Sequence, residues 1–520
     1  MKSLLPSSLL QSLALASILA ARASAQTGDS DTVCDAKCLV NLGISYEHDS
    51  YAHSPLDEFY TIPDDFDPAM KPGTLLRVEE HTDLTNYTVP SGLSMSRIMY
   101  TSESLNGTIV PVSAFVLWPY APYEYNSNSN NNNNNNHHHH PRAANTPPSS
   151  PPPKFPLVAW AHGTSGVFPP CAPSNYRSLQ YNFMTAYPLA LAGFAVIATD
   201  YAGLGVTTLP HGAQSHAWLA GPAGANDVAY AIDATRSAFP QNLDADGPFV
   251  AMGHSQGGGV AWSFAERQAA HPQKGYRGAI AISPATRAVD EIERAMEVYA
   301  SAGVEDGADA PVWATTVLGL QVKVIAAVTA VYPEYNDAGM SEAASGVWHG
   351  TVEKLGGCLV ADSLAFATLQ GEQQVRANWT RDETVQEWQG VVSPGGREFR
   401  GPLLVIVGEE DALPVDMLVE DVERTCAVRE NRGQGLEMVS YGGMQHFPVI
   451  QASRGKWMGW IKERVGGGGG GENSAVGRKD AVCGKKSVVE GFNTQYTAQS
   501  IAPNWLVSWA PPAEAWKYAL

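Results

Sequence analysis

The sequence predicts an α/β fold: a mostly parallel sheet with helices on both faces, interrupted by an inserted, mainly helical cap. Short apolar runs alternate with amphipathic helical patterns between residues 156 and 284, then stop, and return from residue 401. Strands that alternate with helices form parallel sheets covered on both faces. Because strands resume after the interruption, we expect the intervening helices to be an insertion into a single sheet.

The first 25 residues have the pattern of a secretory signal peptide. Lys2 precedes an apolar stretch at residues 9–21, and Ala-Ser-Ala at residues 23–25 is a small-residue cleavage site. A membrane anchor is the alternative, but a span needs about 20 apolar residues, more than this stretch offers. We therefore expect residues 1–25 to be removed and the protein to be secreted into the extracellular space.

Residues 26–284 are predicted to form the first part of the core. Apolar runs at residues 156–163, 194–205 and 248–253 are each followed by a helical pattern, and a fourth run lies at 277–284. Short apolar runs of this kind are typical of buried strands. These runs therefore provide the strands of the predicted parallel sheet.

Residues 126–153 interrupt this part with a sequence of mainly Asn, His, Ser and Pro. This composition cannot bury apolar surface, which predicts a disordered surface loop. Its four consecutive histidines are the residue type of a metal site, but nothing nearby would fix their geometry. We therefore predict no metal there.

Residues 285–395 are predicted to form the cap, because they contain helical patterns and no buried strand run. Their most apolar stretch, residues 311–333, is interpreted as a helix buried in the cap. The alternatives are a lid or the wall of an acyl-chain channel, and a membrane span. Lys323 near the centre of the stretch argues against the span.

The core is predicted to resume at residues 396–465, with strands at residues 401–408 and 436–441. Residues 466–471 are all glycine, which indicates a flexible linker. Residues 472–520 form a carboxyl-terminal extension, interpreted as a flap over the site.

The formal net charge of the 520-residue chain is −19. Removal of the signal peptide, which contains Lys2 and Arg22 and no acidic residue, would make it two units more negative. This charge argues against nucleic acid and anionic membrane surfaces as partners. We expect a soluble monomer without an integral membrane span.

The chain has six cysteines, and an even number in a secreted protein favours disulfides, although fifteen pairings are possible. Their spacing does not suggest zinc. Three Asn-x-Ser/Thr sequons are candidate glycosylation sites: Asn86, Asn106 and Asn378.

Ser255 lies in the sequence GHSQGGG, between the predicted strand at residues 248–253 and a helix. The Gly-x-Ser-x-Gly pattern alone is unspecific, but this context is that of a nucleophile held on a sharp strand-to-helix turn. A serine hydroxyl needs a base to take its proton. Such a base is expected later in the chain, after the last core strands.

His446 is the histidine in that position, directly after the predicted strand at residues 436–441. His271 and His349 also follow Ser255, but they lie in a helix end and in the cap. The acid that orients the imidazole is predicted to be Asp411, with Glu410 as the main alternative. Glu409 and Asp416 in the same segment are interpreted as solvated.

The developing oxyanion needs hydrogen-bond donors. The backbone N–H of Gln256, directly after the serine, is one candidate. The second is the N–H of Thr164 in the sequence AHGTSG, with Gly163 and Ser165 as alternatives. His254 is interpreted as a packing residue that supports the site.

Together these residues resemble the secretory lipase family of α/β-hydrolases. The similar stretches extend from residue 57 to beyond residue 446: DEFYTIP, PGTLLR, WAHGTSGVFPPCAPS, ATDYAGLG, GHSQGGG, GEEDALP and GMQHF. The resemblance implies the α/β-hydrolase fold and a triad of Ser255, Asp411 and His446. It further implies the disulfides Cys171–Cys358 and Cys426–Cys483, which leaves Cys34–Cys38. The loop at residues 126–153 and the long extension depart from the family pattern.

The resemblance implies a secreted serine hydrolase that cleaves carboxylic esters through an acyl-enzyme, without a cofactor. The apolar cap favours a lipase acting on acylglycerols or other hydrophobic esters, with a lipid–water interface as its partner. An esterase, lactonase or acyltransferase for acylated natural products is the alternative. A serine peptidase and a catalytically silent binding protein are further alternatives. The intact serine, acid and histidine argue against the silent binding protein.

Overall fold

The structure is a computed structural model that describes residues 36–123, 154–206, 216–301, 311–366, 369, 371–466 and 482–492. The predicted signal peptide, the Asn/His/Pro-rich loop, nearly all of the glycine linker and residues 493–520 lie outside these ranges. For these residues, the expectations drawn from the sequence therefore stay predictions.

The strands of the described residues form one ten-stranded sheet. They are β1 (Leu75–Glu79), β2 (Leu93–Glu103), β3 (Ile109–Pro119), β4 (Leu157–Ala161), β5 (Ala195–Thr199), β6 (Phe249–His254), β7 (Tyr276–Ile282), β8 (Leu403–Gly408), β9 (Leu436–Tyr441) and β10 (Cys483–Val489). Their order is β1-β2-β3-β5-β4-β6-β7-β8-β9-β10. The strands β1, β2, β3 and β5 pair antiparallel, and the pairs from β5 to β10 are parallel.

The described residues also form fourteen α-helices, some of which cover the two faces of the sheet while others form the cap. They are α1 (Ala36–Ala52), α2 (Ala186–Leu191), α3 (Gly221–Ala238), α4 (Gln256–Ala270), α5 (Ala288–Ser301), α6 (Val312–Leu318), α7 (Gln321–Val331), α8 (Glu342–Val347), α9 (Glu353–Leu355), α10 (Leu359–Ala365), α11 (Glu383–Val392), α12 (Val415–Ala427), α13 (Pro448–Ala452) and α14 (Arg454–Gly466).

The alternation of side chains along β4 shows why helices lie on both sides. Ala159 belongs to the buried cluster that contains Trp262 of α4. Its neighbour Trp160 points to the opposite face and belongs to the cluster that contains Trp457 of α14. All five residues of β4 are buried. A strand buried on both faces has no polar positions, which is why its sequence is a continuous apolar run.

The cap is the segment between β7 and β8, where the helices α5 to α11 lie. Its helices pack in a third hydrophobic cluster, which includes Ile325, Val347 and Trp388 and to which Leu42 of α1 and Trp218 also belong. The apolar stretch at residues 311–333 forms the two short helices α6 and α7 instead of the single helix expected. Lys323 within it is buried in an ion pair with Asp362, with Nζ and Oδ2 2.7 Å apart.

The helices of the described residues are all too short or too polar to cross a membrane. The apolar stretch of the cap is divided at Gly319 and Leu320, between α6 and α7. Its side chains pack against other cap helices, since Val322 and Val328 are buried in the cap cluster. Packing within the cap therefore accounts for part of its hydrophobicity, and Val317, Leu320 and Val324 of the same stretch line a cavity beneath the cap.

Two parts of the sheet were not predicted from the sequence. The strands β1 and β2 contain several polar side chains, some of which the fold buries with partners, whereas β3 is mainly apolar and was also missed. Arg97 of β2 contacts Asp57 at 2.7 Å and Glu79 at 2.5 Å, and it is largely buried. The other part is β10 in the carboxyl-terminal extension, which pairs in parallel with β9.

Candidate active site

Ser255 lies between β6 and α4 with φ 58° and ψ −122°. A non-glycine residue with positive φ in this region is strained, and such strain persists only where neighbouring structure holds it. The Ser255 N–H donates to the carbonyl of Ile282 at 2.9 Å, and its carbonyl accepts from the N–H groups of Gly259 and Ala285 at 3.1 Å each. The turn is thus fixed to the end of β7 and to the loop that follows it.

The glycines of GHSQGGG are required by close approach of the backbone. A Cβ atom on Gly253 would collide with the carbonyl of Gly257, and one on Gly257 would collide with the carbonyl of Ala161 at the end of β4. A Cβ on Gly258 would lie 2.6 Å from the carbonyl oxygen of Ile282. The start of α4 therefore packs directly on two neighbouring strands, which holds Ser255 above them.

Asp411 and His446 are brought together by the loops after β8 and β9. His446 Nδ1 lies 2.7 Å from Asp411 Oδ1. A buried carboxylate accepts hydrogen bonds, so Nδ1 carries the proton and Nε2 keeps a lone pair. The pair has the arrangement in which an imidazole can take a proton at Nε2.

The carboxylate of Asp411 is fully buried and held from two further sides. The Ser283 hydroxyl donates to Oδ2 at 2.5 Å, and the N–H of Leu413 donates to Oδ1 at 3.0 Å. Burial raises the pKa of Asp411, but the attraction of His446 and the hydrogen bonds from His446, Ser283 and Leu413 outweigh it and lower the pKa. Asp411 is therefore a stable anion beside the imidazole.

The alternatives raised by the sequence lie elsewhere. Glu410 is exposed, and so is His271 at the end of α4. Asp416 faces Arg294 at the surface, 3.8 Å away. His349 lies in the cap between Asp337 and Glu353 and is about half exposed.

Ser255 and His446 line one cavity of about 150 Å³ beneath the cap. Its wall is mostly apolar and includes Leu219, Val317, Leu320, Val324, Leu413 and Phe447. The Ser255 hydroxyl makes no hydrogen bond to any described residue, His446 included. Such contacts often tighten only when substrate is bound.

Thr164 lines the same cavity, whereas the alternatives Gly163 and Ser165 are buried outside its lining. The Thr164 hydroxyl accepts from the indole N–H of Trp218 at 2.9 Å. Its backbone N–H has no hydrogen-bond partner among the described residues. It is therefore available to an oxygen in the cavity.

Gln256 is the first residue of α4, so its N–H has no partner within the helix. Its side chain lies 2.9 Å from His216 Nε2, which accepts its amide hydrogen. Burial lowers the pKa of His216 to about 4, so the imidazole is neutral and able to accept. The side chain of Gln256 is thus held by His216, while its backbone N–H stays at the start of the helix.

His254 supports the loop that contains His446. Its Nε2–H donates to the carbonyl of His446 at 2.8 Å, and its Nδ1 accepts from the Tyr181 hydroxyl at 2.7 Å. Burial lowers the pKa of His254 to about 3, so the imidazole is neutral at ordinary pH and is a much weaker base than a free imidazole. A Cβ on Gly163 would collide with the Tyr181 hydroxyl, which explains the glycine in AHGTSG.

Sequence reasoning missed Ser283 and Tyr181 as supporting residues. Ser283 directly follows β7, the strand beside β6 and β8, so its place at the strand's carboxyl end is a signal that the sequence contains. Tyr181 lies in an irregular segment before α2, and its contact with His254 depends on the tertiary fold.

The structure contains the disulfides Cys171–Cys358 and Cys426–Cys483. Cys34 lies outside the described residues, so its pairing with Cys38 stays a prediction. The first disulfide joins the loop after β4 to the cap residue that precedes α10. Asn86, Asn106 and Asn378 are all exposed, and their glycosylation also stays a prediction.

Three potential metal ligands in the described residues come within 4.8 Å of one another: Asp49, His53 and Cys358. Cys358 is bonded to Cys171 and therefore offers no thiolate. A metal ion would be left with one carboxylate and one imidazole, which is too few for a structural site.

A family model described as serine aminopeptidase, S33, matches residues 177–308, which is about a quarter of the chain. The structure is similar to lipase A of Candida antarctica in its closed state, with a TM-score of 0.58 and 15% identity over 84% of this chain and 91% of that one. It is also similar to the rice cell wall degrading esterase LipA of Xanthomonas oryzae, with a TM-score of 0.51 and 15% identity over 76% and 98% of the two chains. The comparison with curated proteins found no match. At these identities the likeness establishes the fold, and the predicted α/β-hydrolase fold is confirmed.

Proposed function

We propose that the protein is a secreted serine hydrolase of carboxylic esters, with hydrophobic esters such as acylglycerols as substrates. The pairing of buried Asp411 with His446, on a cavity that also contains the strained Ser255, is the observation that supports this function. The apolar wall of the cavity favours a hydrophobic acyl group over a peptide. Disulfides and the signal-peptide pattern favour secretion.

The proposed reaction passes through an acyl-enzyme. The Ser255 oxygen adds to the ester carbonyl while His446 Nε2 takes its proton, and Asp411 stabilises the resulting imidazolium. The backbone N–H groups of Thr164 and Gln256 stabilise the oxyanion, and loss of one such donor costs roughly 10²–10³-fold in turnover. His446 then gives its proton to the leaving alcohol, and water, activated by His446, releases the acid from Ser255.

The test is hydrolysis of p-nitrophenyl esters from acetate to palmitate by the wild type, Ser255→Ala and Ser263→Ala. Ser263 is a buried serine of the same helix whose hydroxyl has no hydrogen-bond partner among the described residues, so it is a matched control. We expect Ser255→Ala to lose at least about 10³-fold in kcat and Ser263→Ala to stay near the wild type.

The chain-length profile separates the alternatives within this function. Activity that rises toward palmitate supports a lipase. Activity confined to acetate and butyrate supports an esterase of smaller or natural-product esters. Equal ester hydrolysis by the wild type and Ser255→Ala would contradict the proposed nucleophile, and absence of ester hydrolysis would direct attention to peptides and lactones.

A further inference from the structure

Glu291 of α5 is an acidic side chain in the lining of the cavity that contains Ser255 and His446. It is 5% exposed. Its neighbours in the cavity wall are apolar and include Ala288, Ile292 and Val324. A carboxyl group in an apolar wall is costly unless hydrogen bonds compensate for the lost water.

The protein itself compensates Glu291 only weakly. Its Oε1 accepts from the N–H and the hydroxyl of Thr286 at 3.5 and 3.4 Å, which are long for hydrogen bonds. No ion pair to Glu291 is present in the described part of the chain. The second carboxyl oxygen, Oε2, makes no hydrogen bond to a described residue.

The nearest basic side chain in sequence, Arg287, is engaged by other carboxylates. It contacts Asp290 at 3.0 Å, Glu420 at 3.0 Å and Asp421 at 2.8 Å. Burial and the negative charge of Asp421 raise the pKa of Glu291 to about 7, against the lowering effects of Thr286 and Arg287. Near neutral pH the carboxyl group can therefore both donate and accept a hydrogen bond.

We propose that Glu291 is a specificity-determining residue that binds a hydroxyl group on the acyl chain, so that hydroxylated acyl esters are favoured substrates. This inference rests on the proposed ester hydrolysis. The acyl chain stays on Ser255 after the alcohol leaves, so the apolar cavity that contains Ser255 suits the acyl group. A hydroxyl costs far less to bring into an apolar cavity than an ammonium group, and it matches a carboxyl group that donates and accepts.

The test uses three p-nitrophenyl esters with acyl chains of equal length: heptanoate, 6-hydroxyhexanoate and 6-aminohexanoate. The values of kcat and KM are measured for the wild type, Glu291→Gln and Glu291→Leu. Glutamine keeps a donor and an acceptor, whereas leucine has neither. We expect the ratio of kcat/KM for the hydroxy ester to that for heptanoate to fall about 10-fold in Glu291→Leu, mainly through KM. We expect Glu291→Gln to keep that ratio within about 3-fold of the wild type.

Glu266→Gln is the matched control, because Glu266 is a buried acid of α4 that lines a different cavity. In Glu266→Gln, the ratio of kcat/KM for the hydroxy ester to that for heptanoate should equal the ratio in the wild type. An unchanged ratio in Glu291→Leu would overturn the inference while leaving ester hydrolysis intact. A preference for the amino ester that is lost in Glu291→Gln would also overturn it, in favour of a cation site. If the wild type hydrolysed none of the esters, the proposed function itself would fail.

A measurement on the wild type does not depend on the folding of the variants. The free acids 6-hydroxyhexanoate and heptanoate are compared as competitive inhibitors of ester hydrolysis. If Glu291 binds the hydroxyl, the two inhibition constants should lie within about 3-fold of each other. If the cavity wall offered the hydroxyl no hydrogen-bond partner, the inhibition constant of the hydroxy acid should be at least about 10-fold higher than that of heptanoate. That result would overturn the inference.

Discussion

At the scale of single residues, the orientation of His446 depends on Asp411 and the groups that hold it. We expect Asp411→Asn to lower kcat by about 10³–10⁴-fold, because an amide at this position favours the wrong imidazole tautomer. Ser283→Ala removes one of three hydrogen bonds to the carboxylate and should cost about 10-fold. Both are measured by hydrolysis of a p-nitrophenyl ester.

Glu410→Gln is the control for this prediction, because Glu410 is exposed and was the alternative acid. Its activity should equal that of the wild type. The assignment of Asp411 would be wrong if Asp411→Asn kept more than a tenth of the activity, or if Glu410→Gln lost as much.

The glycines of the turn give a prediction about stability. Gly257→Ala should lower the free energy of unfolding by about 3 kcal/mol or more, because the added Cβ would collide with the Ala161 carbonyl. Gly459→Ala, in α14, is the control, since a Cβ there meets no other atom within 4 Å. A methyl group at that position should stabilise the helix by up to about 1 kcal/mol. Denaturant unfolding measures both, and equal stability of the two variants would contradict the packing described.

Much of the candidate site could be proposed at the residue scale because the strand ends are visible in the sequence. Ser255, Asp411 and His446 each follow a segment predicted as a strand, which the structure shows as β6, β8 or β9. Glu291 and Tyr181 could not be predicted in this way. Their place beside the cavity depends on how the cap and an irregular segment pack, and no local pattern reports that.

At the scale of secondary structure, the parallel strands β4 to β9 were predictable, whereas β1 to β3 and β10 were not. A strand such as β4 is buried on both faces, so its sequence is entirely apolar. β2 contains Ser96, Arg97 and Ser102, which are buried only because tertiary partners compensate them; Ser102, for example, donates to Asp227 at 2.5 Å. β10 contains two lysines and exposed positions, so only its pairing with β9 and its disulfide make it a strand.

The two disulfides should differ in their effect on activity. Cys171–Cys358 joins the Thr164 loop to the cap, where the Leu359 N–H also donates to the Ser165 carbonyl at 2.9 Å. Cys426–Cys483 joins α12 to the edge strand β10. We expect each double alanine variant to lose about 2–5 kcal/mol of unfolding free energy. Only the first should also lower kcat, because it releases the loop that contains the proposed oxyanion donor.

Thermal unfolding and ester hydrolysis of the two double variants measure these effects. The comparison is matched, since each variant loses one disulfide and two sulfur atoms. Equal losses of kcat in both would show that the effect on activity is one of general stability. In that case the proposed role of the first disulfide in positioning Thr164 would be wrong.

At the scale of the whole molecule, buried titratable groups make stability depend on pH in two opposing ways. Burial raises the pKa of four acids as far as about 6–7: Asp200, Asp227, Glu266 and Glu291. Their contribution to the free energy of unfolding is present below their unfolded pKa of about 4 and is lost as the pH rises to about 6–7. Burial lowers the pKa of three histidines to about 3–4: His162, His216 and His254. Their contribution to the free energy of unfolding is therefore lost as the pH falls below about 6.5.

The substitution Glu266→Gln isolates the contribution of one buried acid to the pH dependence of stability. Burial raises the pKa of Glu266 to about 7, although the Gly395 N–H and Arg397 lower it. Relative to the wild type, Glu266→Gln should gain roughly 1–3 kcal/mol of unfolding free energy as the pH rises from 5 to 8. Glu372→Gln, an exposed cap residue, should show no such change. Denaturant unfolding at the two pH values measures this, and identical pH dependence of both variants and the wild type would contradict the raised pKa.

The most direct measurement of the central proposal is covalent labelling by a fluorophosphonate, which reacts with an activated serine. The labelled protein is digested and the modified peptide is identified by mass spectrometry. We expect one modified residue, Ser255, with no labelling of Ser255→Ala and at least about 10³-fold slower labelling of His446→Ala. Labelling at another serine, or equal labelling of wild type and Ser255→Ala, would contradict the assignment of Ser255 as the nucleophile.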